Sequence, residues 1–427
     1  LLHAQIAERT KASLSYTTAS QEAMPFSATD TAHMQRALEL ARATQGLASP
    51  NPQVGCVLAH GNEIVGEGAH RFDLRDHAEI VALKQAGERA RGATAYVTLE
   101  PCSHYGRTGP CSVALLEAGV TRVVAATLDP NPLVAGKGMV ILQNGSVQVE
   151  DGLLERDARR MNDAFARHVL TGMPLVTLKS ALSVDGMLAP LPIQRTANAP
   201  FWLTGTAARE EVHRFRHAND AILTGIGTVL ADDPLLTDRS NLQRRRRLLR
   251  VVLDTHCRFP LSSRLAESAN DDLMVFCART APQDRQRALR QLGITVETVP
   301  TLTPAQRGNH DRKVELDLRA VLKRLGEMDI LSVLLESGPG LNGAFLSAGL
   351  VDKIVLFFSE TELGSDAIPF AANGVNPFAL IEQLADVDRC DFVSEMSNGA
   401  RQVDACVRGT LHDPWAETFA LTPTTAR

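Results

Sequence analysis

The chain has 427 residues, 44% hydrophobic and 22% charged, with a formal net charge of −5. That length exceeds one typical core and favours two or three domains, and the acid excess argues against a dedicated nucleic-acid binder, whose domain would be basic. The longest apolar stretches, such as Ile330–Leu335, are strand-sized and far short of the ~20 residues a helix needs to cross a bilayer, so no membrane partner is expected.

Residues 1–27 are polar and mixed and lack the apolar core of a secretory signal, so they read as a flexible extension. Seven cysteines, an odd number, do not suggest a disulfide framework and fit a reducing, cytoplasmic compartment. Asp30 is the expected N-cap of a helix over Thr31–Thr44, with Met34, Leu38 and Ala41 on one face. Ser49-Pro50-Asn51-Pro52 is a turn, and Gly55–Leu58 and Glu63–Gly66 read as strands joined at Gly61-Asn62. A helix over His77–Glu88, a strand over Ala95–Leu99, a helix over Ser112–Ala118 and a strand over Arg122–Thr127 follow. This order implies a three-layer α/β domain, closed by a charged helix over Leu153–Leu170 and assigned residues 28–172. Residues 173–427 are a second α/β unit. Its expected strands are Leu175–Leu182, Ala221–Thr224, Arg250–Asp254, Leu273–Cys277, Ile330–Glu336 and Lys353–Phe358, with a helix over Ala207–Ala218. The run Arg244–Arg247 reads as a solvated loop.

In the first unit, His77-Ala78-Glu79, Pro101-Cys102 and Cys111 stand out. One imidazole and two thiolates suit Zn²⁺, and a catalytic site keeps its fourth position for water. The cysteines fall near expected helix starts, where backbone N–H groups favour thiolate. Glu79, two residues after His77, is placed to shuttle protons between a zinc-activated water, a ring nitrogen and a leaving amine, which is zinc-deaminase chemistry. Each fragment alone is weak; a lone His77 would more often be structural. Their order between strands and helices makes the pattern specific. A closed structural zinc site would need a fourth ligand, which His104 could supply, but would have no use for Glu79.

In the second unit, Gly338-Pro339-Gly340-Leu341-Asn342-Gly343 follows a strand and precedes a segment read as Ala344–Leu350. Such glycines let a backbone approach a phosphate, although a tight strand–helix turn explains them as well. The run Gly225–Thr237 combines a glycine turn with Asp232-Asp233-Pro234, which periodicity does not explain.

The segments Pro50–Cys56, His77–Glu79, Pro101–Cys111 and Asp129–Gly138 resemble the deaminase half of the bifunctional riboflavin-biosynthesis deaminase/reductases. The eight residues between Cys102 and Cys111 match that group. The resemblance implies a cytidine-deaminase-like domain with Asn51, His104 and Arg107 at the substrate. Thr177-Leu178-Lys179, Ser183–Gly186, Trp202–Gly205 and Gly225–Thr237 look like the reductase half. That implies a dihydrofolate-reductase-like fold using NADPH. The cofactor would then meet Leu182, Trp202, Thr228, Asp232, Thr255, Gly338, Gly340 and Gly343. The sugar-phosphate substrate would meet Arg216, Leu235, Arg239 and Glu336. Pro200, Pro190–Ile193 and Ser337 depart from the family pattern, and the match fades beyond about residue 370.

The expected activity is zinc-dependent deamination of a phosphoribosylaminopyrimidine followed by NADPH-dependent reduction of its ribosyl group. The alternatives are a zinc deaminase of a free nucleotide or tRNA base with a degenerate second domain, and a zinc-stabilised nucleotide-sensing module. The sequence leaves the oligomeric state open, a homo-oligomer included.

Overall fold

The computed structural model describes residues 26–104, 109–132, 134–194, 201–302, 315–396 and 399–416. The described residues through Gly172, together with Gln243–Arg246, form one compact unit; Met173–Leu242 and the described residues from Arg247 onward form another. Among the described residues no helix is long and apolar enough to cross a membrane.

The first unit runs α1 (Ala28–Arg42), β1 (Gly55–His60), β2 (Glu63–Ala69), α2 (Ala78–Ala86), β3 (Thr94–Val97), α3 (Cys111–Glu117), β4 (Arg122–Ala125), α4 (Lys137–Asn144), β5 (Gln148–Asp151) and α5 (Glu155–Thr171). The sheet order is β2-β1-β3-β4-β5. β1 is antiparallel to β2 and β3, whereas β3, β4 and β5 are parallel. The parallel strands therefore release their C-terminal loops at one edge, the usual place for a site in such sheets. Helix α1 starts earlier than its sequence suggests. Ser27, not Asp30, is the N-cap: its Oγ accepts from Asp30 N at 3.0 Å while the Asp30 carboxylate accepts from Ser27 N at 2.9 Å. Both residue types can cap, and the reciprocal box decides for Ser27. Asp30 is held inside by the Tyr96 hydroxyl and the Arg122 guanidinium, which donate to its Oδ1 at 2.7 and 2.6 Å.

Two glycines let α2 lie directly on β2. A Cβ at Gly66 would come within 2.3 Å of Ala82 O, and one at Gly68 within 2.1 Å of Ala78 O. Ala78 opens α2, so Gly68 sets how close its first turn approaches the sheet. Helix α4 and strand β5 went unread in the sequence. α4 is short and starts after Gly136, whose φ of 78° is left-handed, in a stretch that reads as loop.

The second unit contains β6 (Leu175–Leu182), β7 (Met187–Ala189), α6 (Thr206–Ala218), β8 (Ala221–Gly225), α7 (Ile226–Asp232), β9 (Leu249–Leu253), α8 (Arg264–Glu267), β10 (Leu273–Ala278), α9 (Gln283–Gln291) and β11 (Thr295–Val299). It continues with α10 (Leu318–Gly326), β12 (Ser332–Leu335), α11 (Pro339–Ser347), β13 (Lys353–Phe358), β14 (Ile368–Pro369), α12 (Pro377–Ile381), β15 (Ala385–Glu395) and β16 (Arg401–Thr410). The large sheet has the order β11-β10-β9-β8-β12-β6-β13-β16-β15. From β11 to β13 neighbours are parallel, and β16 and β15 add antiparallel flanks. Helices cover both faces. Along β8, Leu223 enters one apolar cluster and Ile222 the other, the mark of a sheet buried on two sides. The region beyond residue 370 thus completes the sheet, and Phe392 of β15 packs with Phe357 and Phe215 under α6.

The glycine motif after β12 differs from its expected form. Helix α11 begins at Pro339, with Gly338 as N-cap, so Gly340 and Gly343 lie inside the helix rather than before it. Proline is preorganised for a first helical position, and reading it as a turn placed the helix too late. The arginine run read as a solvated loop is half-buried from Arg244 to Arg246.

Candidate active sites

His77 is the N-cap of α2 but makes no capping bond with its side chain. Its Nδ1 instead lies 3.5 Å from Cys102 Sγ and 3.3 Å from Cys111 Sγ. Cys111 opens α3, and its N–H donates to Cys102 Sγ at 3.3 Å. The hydroxyl of Ser112 holds the Cys102 carbonyl at 3.0 Å. A further glycine steadies the second ligand: a Cβ at Gly138 would sit 1.9 Å from Pro101 O. The three donor atoms lie within 4.8 Å of one another. Tetrahedral zinc with usual bond lengths separates N and S ligands by about 3.6 Å and two S ligands by about 3.8 Å, so the donor set fits zinc. Among the described residues the cluster has three members. His104 is outside it and exposed, which speaks against a closed four-ligand site.

The hydrogen bond from the Cys111 thiol, joined by His77, brings Cys102 down to about 4, and the same bond with burial pushes Cys111 far up. A divalent cation held by both sulfurs would displace the Cys111 proton. Glu79, on the first turn of α2, is 3% exposed. Burial, reinforced by Cys102, pushes its carboxyl up to about 7 against the pull of His77.

Asn51 follows the Ser49–Pro50 turn, which has a cis peptide, and its N–H donates to Ala48 O at 3.0 Å. Its side-chain Nδ2 is 2.9 Å from Nε2 of His70. His70 carries no signal in the sequence, because a histidine just after a strand forms no motif. It stands edge-on to the His77 ring, with centroids 5.3 Å apart, and burial lowers its pKa. Glu100 was missed for a similar reason. Its buried carboxylate accepts from the backbone N–H groups of Asp129, Gly136 and Gly138 at 3.2, 2.9 and 2.8 Å, tying both ends of the β4–α4 loop beside Cys102. Arg107 lies outside the described residues.

In the second unit Leu182, Thr228, Thr255, Glu336 and Gly338 lie at the C-terminal ends of the parallel strands. Leu182 ends β6, Thr228 is in α7 after β8, Thr255 follows β9, and Glu336 and Gly338 follow β12. The glycines separate by role. Gly343 cannot carry a Cβ without pressing on Asn373 at 3.0 Å, a packing constraint. Gly340 has nothing near its Cβ position and Gly338 only Thr228 Oγ1 at 3.9 Å, so the helix start is open to an approaching group. The side chain of Leu182 is core. Trp202 is 63% exposed with the Arg209 guanidinium 5.1 Å from its ring centre, Asp232 is exposed at the end of α7, and Thr255 is half-buried.

Arg216 and Glu336 meet as a bidentate pair, Nε–Oε1 at 2.8 Å and Nη2–Oε2 at 3.0 Å, and Arg216 Nη1 also donates to Thr237 O at 3.0 Å. Lys179 Nζ stands 3.9 Å from the same carboxylate. Burial opposes the charge on Glu336, but Arg216 and Lys179 hold its carboxyl down at about 2; burial lowers Lys179 despite Glu336. The Leu235 carbonyl accepts from Arg250 at 3.2 Å, and Arg239 is exposed, with Nε donating to Thr237 Oγ1 at 3.2 Å. Thr224 Oγ1 at the end of β8, Ser359 Oγ after β13 and Nδ1 of His213 on α6 are buried without a hydrogen-bond partner among the described residues. Unsatisfied polar atoms along an open glycine edge fit a polar ligand such as a dinucleotide.

Residues 27–127 match the cytidine and deoxycytidylate deaminase zinc-binding region, and residues 174–389 match the RibD C-terminal domain. The riboflavin biosynthesis protein RibD of Escherichia coli K12 is 40% identical over 374 residues, covering 85% of this chain and 95% of that protein. The chain belongs to the RibD family. RibD of Aquifex aeolicus is 36% identical, covering 78% of this chain and 88% of that protein. Among solved structures, RibD of Acinetobacter baumannii superposes with a TM-score of 0.71 at 38% identity, covering 90% of this chain and 98% of that one. The diaminohydroxyphosphoribosylaminopyrimidine deaminase/5-amino-6-(5-phosphoribosylamino)uracil reductase of Thermotoga maritima gives 0.68 at 29% identity, covering 89% and 99%. The cytidine-deaminase-like and reductase folds expected from the sequence accord with these RibD structures.

Proposed function

We propose that the chain carries out two consecutive steps of riboflavin synthesis. The domain of residues 28–172 converts 2,5-diamino-6-(5-phosphoribosylamino)pyrimidin-4-one to 5-amino-6-(5-phosphoribosylamino)uracil with loss of ammonia. The domain of residues 173–427 reduces the ribosyl group to a ribityl chain with NADPH. One observation carries the reading: an open three-donor zinc set with a buried carboxylate at its side, in a chain whose RibD likeness runs through both domains.

His77, Cys102 and Cys111 would hold the zinc. When bound, zinc supplies Lewis acidity and lowers the pKa of water in its open position to about 7. Glu79, fixed on the first turn of α2 and shielded from solvent, would carry two protons in turn on its carboxylate, both drawn from the attacking oxygen, delivering the first to the ring nitrogen and the second to the departing amine. Asn51 borders the substrate near the metal, and His104 and Arg107 face the ribose phosphate, for which Arg107 offers a fork of donors.

At the second site, Gly338 and Gly340 leave room for the cofactor beside Thr228, with Trp202, Asp232, Thr255 and the Leu182 strand end around it. NADPH, when bound, supplies the hydride, and the protein orients it. Arg216, Leu235, Arg239 and Glu336 border the sugar phosphate, with the Arg216–Glu336 pair supplying a fixed charged wall. The partners in this reading are small molecules in the cytoplasm, with neither nucleic acid nor membrane required.

The test supplies purified, zinc-loaded protein with the diaminopyrimidine, with and without NADPH, and follows ammonia and absorbance together. Ammonia release without NADPH, and NADPH oxidation only once deaminated product is present, is the expected result. Turnover of deoxycytidylate or tRNA adenosine with none of the diaminopyrimidine would overturn the reading.

A further inference from the structure

We propose that His70 is a positioning residue for deamination: it fixes the Asn51 carboxamide so that Oδ1, rather than Nδ2, is presented to the pyrimidine. The inference rests on the deaminase reading above and deepens it.

His70 is 3% exposed, and its Nδ1 lies 2.8 Å from the carbonyl oxygen of Asp76. A carbonyl oxygen can only accept, so Nδ1 carries the proton. A neutral imidazole protonated at Nδ1 has a lone pair, and no hydrogen, at Nε2. Nε2 faces the Asn51 side chain at 2.9 Å, and only the amide N–H can complete that contact. The amide orientation, often a matter of choice between nearly identical atoms, is therefore dictated by the Asp76 carbonyl. Asn51 Nδ2 is committed to His70, and Oδ1 has no donor among the described residues.

The relay also joins Asn51 to the metal ligands. The carbonyl that sets the His70 tautomer belongs to the peptide linking Asp76 to His77. The His70 ring stands edge-on to the His77 ring, with centroids 5.3 Å apart. At its other end Asn51 is anchored by its own N–H to Ala48 O at 3.0 Å. The amide is thus referenced to the same backbone that places the zinc-binding imidazole. A side chain held this way reads chemistry: an outward Oδ1 accepts, so the ring group it meets is an N–H donor, and a ring with an acceptor there leaves Oδ1 unpaired.

Two measurements test the proposal on the full, zinc-loaded chain. The first is a double-mutant cycle of deaminase kinetics with Asn51→Ala, His70→Asn and the combined variant, with zinc content and reductase turnover as controls. His70→Asn is expected to lower kcat/KM about tenfold, the scale of one misplaced hydrogen bond, chiefly through KM. The combined variant should be no worse than Asn51→Ala alone, because the two residues act as one unit. His70→Gln, whose amide oxygen can stand near the place of Nε2, should recover most of the loss. Additive losses, or wild-type kinetics in either single variant, would overturn the proposal.

The second measurement needs no substitution. The ¹⁵N shifts of the His70 ring should report an Nδ1–H tautomer, and an Nε2–H tautomer would sink the idea even if His70→Asn failed to fold. Should the wild-type protein not deaminate the diaminopyrimidine, the functional reading fails while the shifts still judge the tautomer.

Discussion

The two sites are built in opposite ways. The zinc centre is made by local backbone: two helix starts and one turn deliver His77, Glu79, Cys102 and Cys111 within a short stretch of chain. The reductase edge is made by topology, from the ends of strands far apart in sequence, and its strongest polar groups, Arg216 and Glu336, are bound to each other. A site set by local geometry should fail through the loss of one atom. One set by topology should fail through the loss of a fixed charge.

The sharpest break in that contrast is Glu79→Gln. It should keep zinc, leave the reductase intact and lower deaminase kcat about 10³-fold, within the range general acid–base catalysis supplies. Metal analysis and the two assays on one sample check this. Near-normal deamination would remove Glu79 from the mechanism.

Next in size is Glu336→Gln, which leaves the mostly covered Arg216 and Lys179 side chains, 14% and 12% exposed, without their counter-charge, a loss of about 3–5 kcal/mol in comparable pairs. The pH dependence follows from the depressed carboxyl. Folded Glu336 titrates at about 2, below the ordinary ~4.3 of an unfolded glutamate. Its contribution to stability is therefore complete above pH ~4.3 and fades as pH falls toward 2. Calorimetry should show the wild-type reductase transition losing temperature over that window. The variant should start lower at neutral pH and fall less. Equal acid slopes would contradict the charged-wall account.

The smallest effect expected is from Gly68→Ala. The added carbon would meet Ala78 O at 2.1 Å, so the first turn of α2 must lift. About 1–3 kcal/mol of strain and a deaminase loss of about tenfold should follow. Reductase kinetics should not move.

The same contrast explains what could be read from the sequence. The zinc ligands and Glu79 are legible because their chemistry sits in contiguous motifs, and the parallel strands β6, β8, β9, β10, β12 and β13 because they are buried apolar runs; the half-exposed edge strand β11 is not. His70 and Glu100 are not, because each acts through backbone groups brought near only by folding. The glycine motif misled in part. Its spacing is that of a phosphate loop, yet Gly343 is there for Asn373, and only Gly338 and Gly340 face open space. Ser27 was overlooked because Asp30 offers an equally good cap, and the choice lies in a reciprocal bond that composition does not show.

Glu100 carries a consequence for motion. One carboxylate is the common acceptor for the amides of Asp129, Gly136 and Gly138. Those amide protons therefore share a single latch. Releasing any one weakens the seat of the others, so in deuterated water the three should exchange as a cooperative set. Asp129, Gly136 and Gly138 would then open together rather than one at a time.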